Sequence, residues 1–258
     1  PRILVHDVLQ IPANSHPDKA AILYEGQEIT FWELRQFVLR FANALKSLGV
    51  DKGERVGIHL PTCPQYVIAF RAVLSLGAIV VNLNPLYPVN ELISIADQTT
   101  LTTLITIDKA LPNVRQLCQE LKIPRVIVSS SADFTASPNE PTPTKLEEGW
   151  HHFSEILQKS TNTDRVRVEI KTDDPAVIQF TGGTTGVPKG AVLTHANIIA
   201  STVHASVWTT SRVKRTPIEK LSTLIVIPLY HVYGNLISNW QYTTAPHRSW
   251  FHNSISTS

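Results

Sequence analysis

Residues 176–197 read AVIQFTGGTTGVPKGAVLTHAN, and the order of this stretch decides the fold. Ala176–Phe180 is an apolar, strand-like run that feeds straight into Thr181-Gly-Gly-Thr-Thr-Gly186. The chain holds 11 glycines, and Gly182, Gly183, Gly186 and Gly190 crowd into this one segment. Such a mixture packs poorly in a core. It suits a loop that wraps an anion, because glycine tolerates positive φ and lets a ligand approach the main chain. Successive backbone N–H groups can converge there as a nest. The hydroxyls of Thr181, Thr184 and Thr185 add short donors, and Lys189 adds a point charge for the same anion. The bland alternative is a hairpin whose glycines and threonines serve only the turn. The ordered string outweighs it.

Two better-known phosphate loops are excluded. A Walker-type loop needs Lys followed at once by Ser or Thr as a helix begins. Here Pro188 precedes Lys189, Gly190 follows it, and Ala191–Thr194 reads as a strand. The G-x-G-x-x-G dinucleotide fingerprint is also absent.

Upstream the sequence alternates strand and helix. Thr30 and Glu33 form a capping-box pattern, and Leu34, Val38, Phe41, Leu45 and Leu48 make one apolar stripe, so the spacing predicts a helix over Phe31–Leu48 ended by Gly49. Arg55–Leu60 reads as a strand. Gln65–Leu76 reads as a helix apolar nearly all round, hence buried on most sides. Ala78–Leu83 and Leu101–Ile107 follow as strands, with a helix over Asn90–Asp97 between them. Pro112–Leu121 reads as a helix with proline in its first turn, and Arg125–Val128 as a strand. This order predicts an α/β fold with a mostly parallel sheet and helices on both faces. Residues 129–147, rich in Ser, Thr and Pro, are expected to form a mobile loop. A helix near His151–Leu157, a charged strand Val166–Ile170 and a strand Leu224–Ile227 complete the reading. Thr194 is expected to cap a structural helix carrying Ile199, Val203 and Val207.

Formal net charge is +2, from 23 basic and 21 acidic residues, which gives no argument for a nucleic-acid partner. Cys63 and Cys118 lack paired-motif spacing, so a reduced, cytoplasmic compartment is the default. The most apolar run, Tyr66–Val81, is interrupted by Arg71 and too short to span a bilayer. His151, His152, His247 and His252 are not accompanied by carboxylates or cysteines and predict no metal site.

QFTGGTTGVPKGAVLTHAN, residues 179–197, resembles the signature loop of the adenylate-forming superfamily. Its members include acyl-CoA synthetases, firefly-type luciferases and peptide-synthetase adenylation domains. The Thr-Gly-Gly variant, with Gly182 where serine is usual, is similar to bacterial long-chain fatty-acid–CoA ligases. Pro228-Leu-Tyr-His-Val-Tyr-Gly234 resembles the second core motif. Gly53-Glu-Arg-Val-Gly57, Leu60-Pro-Thr-Cys-Pro64 and Asn82-Leu-Asn-Pro-Leu-Tyr-Pro88 also look like the N-terminal subdomain of these ligases.

The resemblance implies an incomplete N-terminal domain of the adenylate-forming fold over residues 1–234, then a non-family tail over 235–258 without the C-terminal domain. It implies ATP-dependent activation of a medium- or long-chain fatty acid to an acyl-adenylate and then an acyl-CoA thioester. ATP, magnesium and coenzyme A come with that reaction, and peripheral contact with a membrane is compatible with it. Thr181, Gly182, Gly183, Thr184, Thr185, Gly186 and Lys189 would hold the β- and γ-phosphates. His231 would stand beside the substrate carboxylate, with a histidine packed in the core as the bland reading, and Tyr230 and Tyr233 would be wall and packing residues.

The family's downstream acidic motif, ribose aspartate, hinge and catalytic lysine are not found. No Asp or Glu follows Glu219, so a magnesium ligand is not expected there. The chain alone is expected to bind ATP weakly and not to form acyl-CoA. Competing readings are an aryl-acid or carrier-protein-loading adenylation enzyme, and a catalytically dead fragment that binds nucleotide or a partner protein.

Overall fold

The computed structural model describes residues 3–136, 145–181, 188–213, 222–235, 238–239 and 248–251. A short helix α1 (Gln10–Ser15) precedes a hairpin of β1 (Ala20–Tyr24) and β2 (Gln27–Thr30). Its two turn residues, Glu25 and Gly26, both have positive φ (45° and 82°), the turn that matches strand twist.

Helix α2 (Phe31–Ser47) starts at the capping box read from the sequence. Glu33 N donates to Thr30 Oγ1 at 3.1 Å, and Thr30 N donates to Glu33 Oε2 at 2.8 Å. The stripe residues Leu34, Val38, Phe41 and Leu45 are buried.

Then follow β3 (Arg55–His59), α3 (Pro64–Ser75), β4 (Ile79–Asn82), α4 (Val89–Gln98), β5 (Thr103–Ile107), α5 (Leu111–Glu120), β6 (Arg125–Ser129), β7 (His151–His152), α6 (Phe153–Lys159), β8 (Pro175–Thr181), β9 (Lys189–Thr194) and α7 (His195–Val213). Strands β3 to β9 form one seven-stranded sheet in the order β7-β6-β5-β3-β4-β8-β9. All neighbours are parallel except β8 and β9.

Alternation along the strands builds two cores. Val80, Ile105 and Ile127 face α2, α3 and α6, while Val81, Leu104, Val126 and Val128 face α4 and α5. Helix α3 is buried almost all round, Tyr66 and Arg71 included. The fold class read from the sequence is the one observed.

Residues 166–170, expected as a charged strand, form no strand. The charged alternation there was misread: the backbone crosses the surface as a strap instead of joining a sheet. Lys52 Nζ donates to Glu169 O at 2.7 Å and Asn43 Nδ2 to Asp164 O at 2.8 Å, which hold the strap by side chains. Of residues 129–147, Ser129 Oγ and Ser130 N each donate to Asp133 Oδ2 at 3.0 Å, while 137–144 lie outside the described residues.

A second sheet, in the order β10-β11-β1-β2, contains β10 (Ser222–Ile225) and β11 (Arg248–Phe251). β11 lies parallel between β10 and β1, so the tail, which shows no periodicity, still supplies a strand. Among the described residues, no helix is long and apolar enough to cross a membrane.

Candidate functional site

Strand β8 runs parallel to β4, so its end at Thr181 lies on the carboxyl edge of the main sheet. The chain then returns antiparallel through β9, with Thr181 opposite Lys189 and Phe180 opposite Gly190. A Cβ on Gly190 would stand 2.9 Å from Ile178 Cγ2 and 3.0 Å from Phe180 Cζ. Glycine is therefore required there by the side chains of the partner strand, apart from any loop conformation. Thr181 and Lys189 are exposed at the mouth of the hairpin, and Lys189 has no ion-pair partner among the described residues. Gly182, Gly183, Thr184, Thr185 and Gly186 lie outside the described residues.

Thr194 caps α7, as its position in the sequence indicates. Asn197 N donates to Thr194 Oγ1 at 3.2 Å, and Thr194 N donates to Asn197 Oδ1 at 3.0 Å. The hairpin and the helix are thus joined by a reciprocal cap.

The segment 228–235 is built against the turn after β3. Leu229 is buried, and its N–H donates to Thr62 Oγ1 at 3.2 Å. His231 N donates to Pro228 O at 3.0 Å. Gly234 closes the loop so tightly that a Cβ would fall 2.2 Å from Pro228 O. His231, Val232 and Tyr233 are exposed, so the packed-core reading of His231 fails. Tyr233 N approaches His231 Nδ1 at 3.4 Å. In the neutral ring that leaves Nε2–H as the free donor. Tyr230 is half-buried against the core, and burial raises its hydroxyl pKa.

One buried hydrogen-bond relay joins the two motifs. Arg71 Nη2 donates to Asn239 Oδ1 (3.2 Å), Asn239 Nδ2 to Asn235 Oδ1 (3.3 Å), and Asn235 Nδ2 to Tyr66 Oη (3.0 Å). Tyr66 Oη donates to Asn82 Oδ1 (2.7 Å), and Asn82 Nδ2 to Gln179 Oε1 (2.9 Å). Every bond points the same way, from a buried guanidinium toward the amide two residues before Thr181. Such a chain polarises itself and fixes each amide orientation. Burial pushes the Tyr66 hydroxyl pKa upward, so it stays protonated and can donate.

Asn82, Gln179 and Asn235 of the relay line a cleft of about 170 Å³, with apolar walls from Val177, Leu193, Ile198, Val232 and Tyr233. Sequence reading missed Tyr66, Asn82, Gln179 and Asn235 as site-building residues. The available signal was an amide ending each of two apolar strands, IVVN and AVIQ. Among the described residues, no group of three or more His, Cys, Asp or Glu side chains could hold a metal ion.

With this geometry in hand, comparison with known proteins is direct. A family profile for AMP-binding enzymes matches residues 9–247. A long-chain-fatty-acid–CoA ligase of Bacillus subtilis is 33% identical over 247 residues, which are 91% of this chain and 43% of that protein. Its counterpart in Haemophilus influenzae is 29% identical over 246 residues, or 88% of this chain and 43% of that protein. Among solved structures, a long-chain-fatty-acid–CoA ligase from Archaeoglobus fulgidus superposes with a TM-score of 0.79 at 24% identity, covering 97% of this chain and 47% of that one. The chain thus spans less than half the length of these relatives.

Proposed function

This chain belongs to the AMP-binding enzyme family, and from that premise we propose that its carboxyl edge serves ATP-dependent activation of a fatty acid. The observation that carries the reading is the relay from Gln179 to Asn235, which ties the strand ending at Thr181 to the His231 segment.

In the proposed reaction a carboxylate oxygen attacks the α-phosphorus of ATP and pyrophosphate leaves, giving an acyl-adenylate. The thiol of coenzyme A, losing its proton, then attacks the acyl carbon and AMP leaves. A carboxylate and a triphosphate repel each other, so catalysis depends on neutralising charge and aligning the reactants. Lys189 supplies positive charge to the departing pyrophosphate. Thr181, Thr184 and Thr185 supply hydroxyl donors, and Gly182, Gly183 and Gly186, having no side chain, suit a backbone that an anion approaches closely. His231 Nε2–H donates to the substrate carboxylate and orients it. The apolar cleft beside Val232 and Tyr233 takes the first carbons of the acyl chain.

Magnesium is expected with ATP in such a reaction. Among the described residues, no group of three or more His, Cys, Asp or Glu side chains is placed to hold it. Phosphate and carboxylate binding are the parts of the reaction assigned to residues of this chain. Both cysteines are free, in keeping with a cytoplasmic setting.

Calorimetric titration of the chain with ATP, pyrophosphate and octanoate tests this. Saturable binding of pyrophosphate that Lys189→Ala weakens supports the phosphate assignment. Absence of any phosphate-dependent heat sinks it and leaves a partner-binding role.

A further inference from the structure

The relay ends in a donor that serves no other protein group. Gln179 accepts from Asn82 Nδ2 through its Oε1 at 2.9 Å, and its Nε2 has no partner among the described residues. That nitrogen is not sealed in the core. Gln179 is half-buried, and its Nε2 is not one of the buried polar atoms that lack a partner. The surface it reaches is the cleft beside Val232 and Tyr233, which Gln179 lines.

The amide cannot turn round. The Arg71 guanidinium has donors and no acceptor, so Asn239 must present Oδ1 to it. That commits Asn239 Nδ2 to Asn235 Oδ1, and Asn235 Nδ2 to Tyr66 Oη. Tyr66 then donates to Asn82 Oδ1, which leaves Asn82 Nδ2 for Gln179 Oε1. The orientation of the last amide is thus set at the first donor, and a chain headed by a buried cation polarises its final N–H groups. Asn82, Gln179 and Asn235 all line the cleft with their oxygens engaged. Each has N–H to spare: Asn82 and Asn235 have used one of two, Gln179 neither. No charged side chain lines the cleft. A neutral wall that offers N–H groups fits a ligand oxygen that only accepts, which is the chemistry of a carboxylate.

We propose that Gln179 Nε2–H is a second donor to the substrate carboxylate, alongside His231 Nε2–H. This rests on the acyl-activation reading and deepens it. A carboxylate held by one donor still turns about that bond. Donors from β8 and from the 228–235 segment, acting on its two oxygens, fix its plane while the acyl chain lies between Leu193 and Val232. Gln179 transfers no proton. It binds and positions, and it selects an acid over an amine.

Octanoate and octylammonium, equal in chain length and opposite in head group, test this by NMR titration of the 258-residue chain with side-chain amides resolved. In the parent chain octanoate is expected to move the Gln179 side-chain N–H signals downfield and to bind at least about tenfold tighter than octylammonium. Gln179→Glu keeps the length and the acceptor for Asn82 Nδ2 but puts an acceptor where the donor was. It is expected to weaken octanoate about tenfold and to tighten octylammonium. A merely structural defect weakens both probes, and that outcome overturns the proposal. So does octanoate binding that leaves the Gln179 side-chain signals unmoved, or a Gln179→Glu variant that binds octanoate like the parent. Should Gln179→Glu unfold the chain, the side-chain signals of the parent decide alone. If the proposal falls while His231→Ala still loses octanoate, the acyl-activation reading stands. Absence of octanoate binding by the parent chain overturns both.

Discussion

Tyr66 and Asn235 share a buried hydrogen bond of 3.0 Å although 169 residues separate them in sequence. Tyr66 sits on a buried helix, and Asn235 follows the glycine that closes the His231 loop. Their bond is the step at which the relay passes from one motif to the other. Tyr66→Phe removes a group that both donates and accepts. It strands Asn82 Oδ1 and Asn235 Nδ2 in the core, at an expected cost of about 1–3 kcal/mol. Chemical denaturation should show that loss, and hydrogen exchange across 228–235 should quicken. In a double-mutant cycle with Asn235→Ala, the two losses should fall short of additivity by about 0.5 kcal/mol or more. Full additivity would mean that the relay does not couple the motifs.

Gly234 has a steric role distinct from its flexibility. A Cβ there would lie 2.2 Å from Pro228 O and 2.7 Å from its carbonyl carbon, both backbone atoms that no rotamer change can move. Gly234→Ala should open the turn, break the His231 N to Pro228 O bond and cost about 1–3 kcal/mol. Gly53→Ala is the comparison: its φ is +81° with nothing within 4 Å of a new Cβ, so the cost is backbone strain alone, about 1–2 kcal/mol. Only the Gly234 variant should alter chemical shifts across 228–235.

The succession of strands and helices in the main sheet was legible because short continuous apolar runs and period-3.6 stripes alternate cleanly from Phe31 to Val128, although the spatial order of the strands was not read from it. The capping box at Thr30 and the N-cap at Thr194 were equally readable, since each is a local contact, although the return bond from Thr194 N to Asn197 was not read. The strap at 166–170 was not, because alternation reports an extended backbone and says nothing about whether a partner strand exists. β11 was invisible for the opposite reason: its pairing with β1 joins segments more than two hundred residues apart, and no local pattern announces it. The β1–β2 hairpin had a signal, Glu25-Gly26 between two short strands, that was passed over. In the site, Lys189 and His231 stood out by motif. The relay amides did not, because Asn82 and Gln179 acquire meaning only when β4 and β8 lie side by side.

Three buried histidines should make the fold acid-sensitive well above the carboxylate range. Burial first, then Arg165, lowers the His6 pKa to about 3; burial lowers His59 to about 4; and burial, opposed by Asp174 and aided by Lys52, lowers His195 to about 4. In the unfolded chain each titrates near 6.5. Between pH 6.5 and about 4 the unfolded chain therefore binds protons that the fold refuses. Stability is fully present above pH 6.5 and declines as pH falls through that window, at about 1.4 kcal/mol per pH unit for each histidine. Denaturant midpoints measured from pH 8 to pH 4.5 should fall along this slope. His59→Gln should reduce the slope by one proton. A slope unchanged by that substitution would show that His59 is protonated in the fold.

Lys189 and His231 are both exposed, so they can be removed with little structural consequence: each alanine variant should change stability by no more than about 0.5 kcal/mol. Their proposed partners differ, and so should their losses. Lys189→Ala removes a charge-assisted contact to pyrophosphate and should weaken that ligand about tenfold, leaving octanoate binding intact. His231→Ala should do the reverse. His231→Gln, which keeps an N–H donor near the position of Nε2, should recover part of the octanoate affinity. Titration of the three variants with each ligand separately reads the division directly. If Lys189→Ala and His231→Ala weaken both ligands equally, the two residues serve one undivided site, and the assignment of phosphate to one and carboxylate to the other fails.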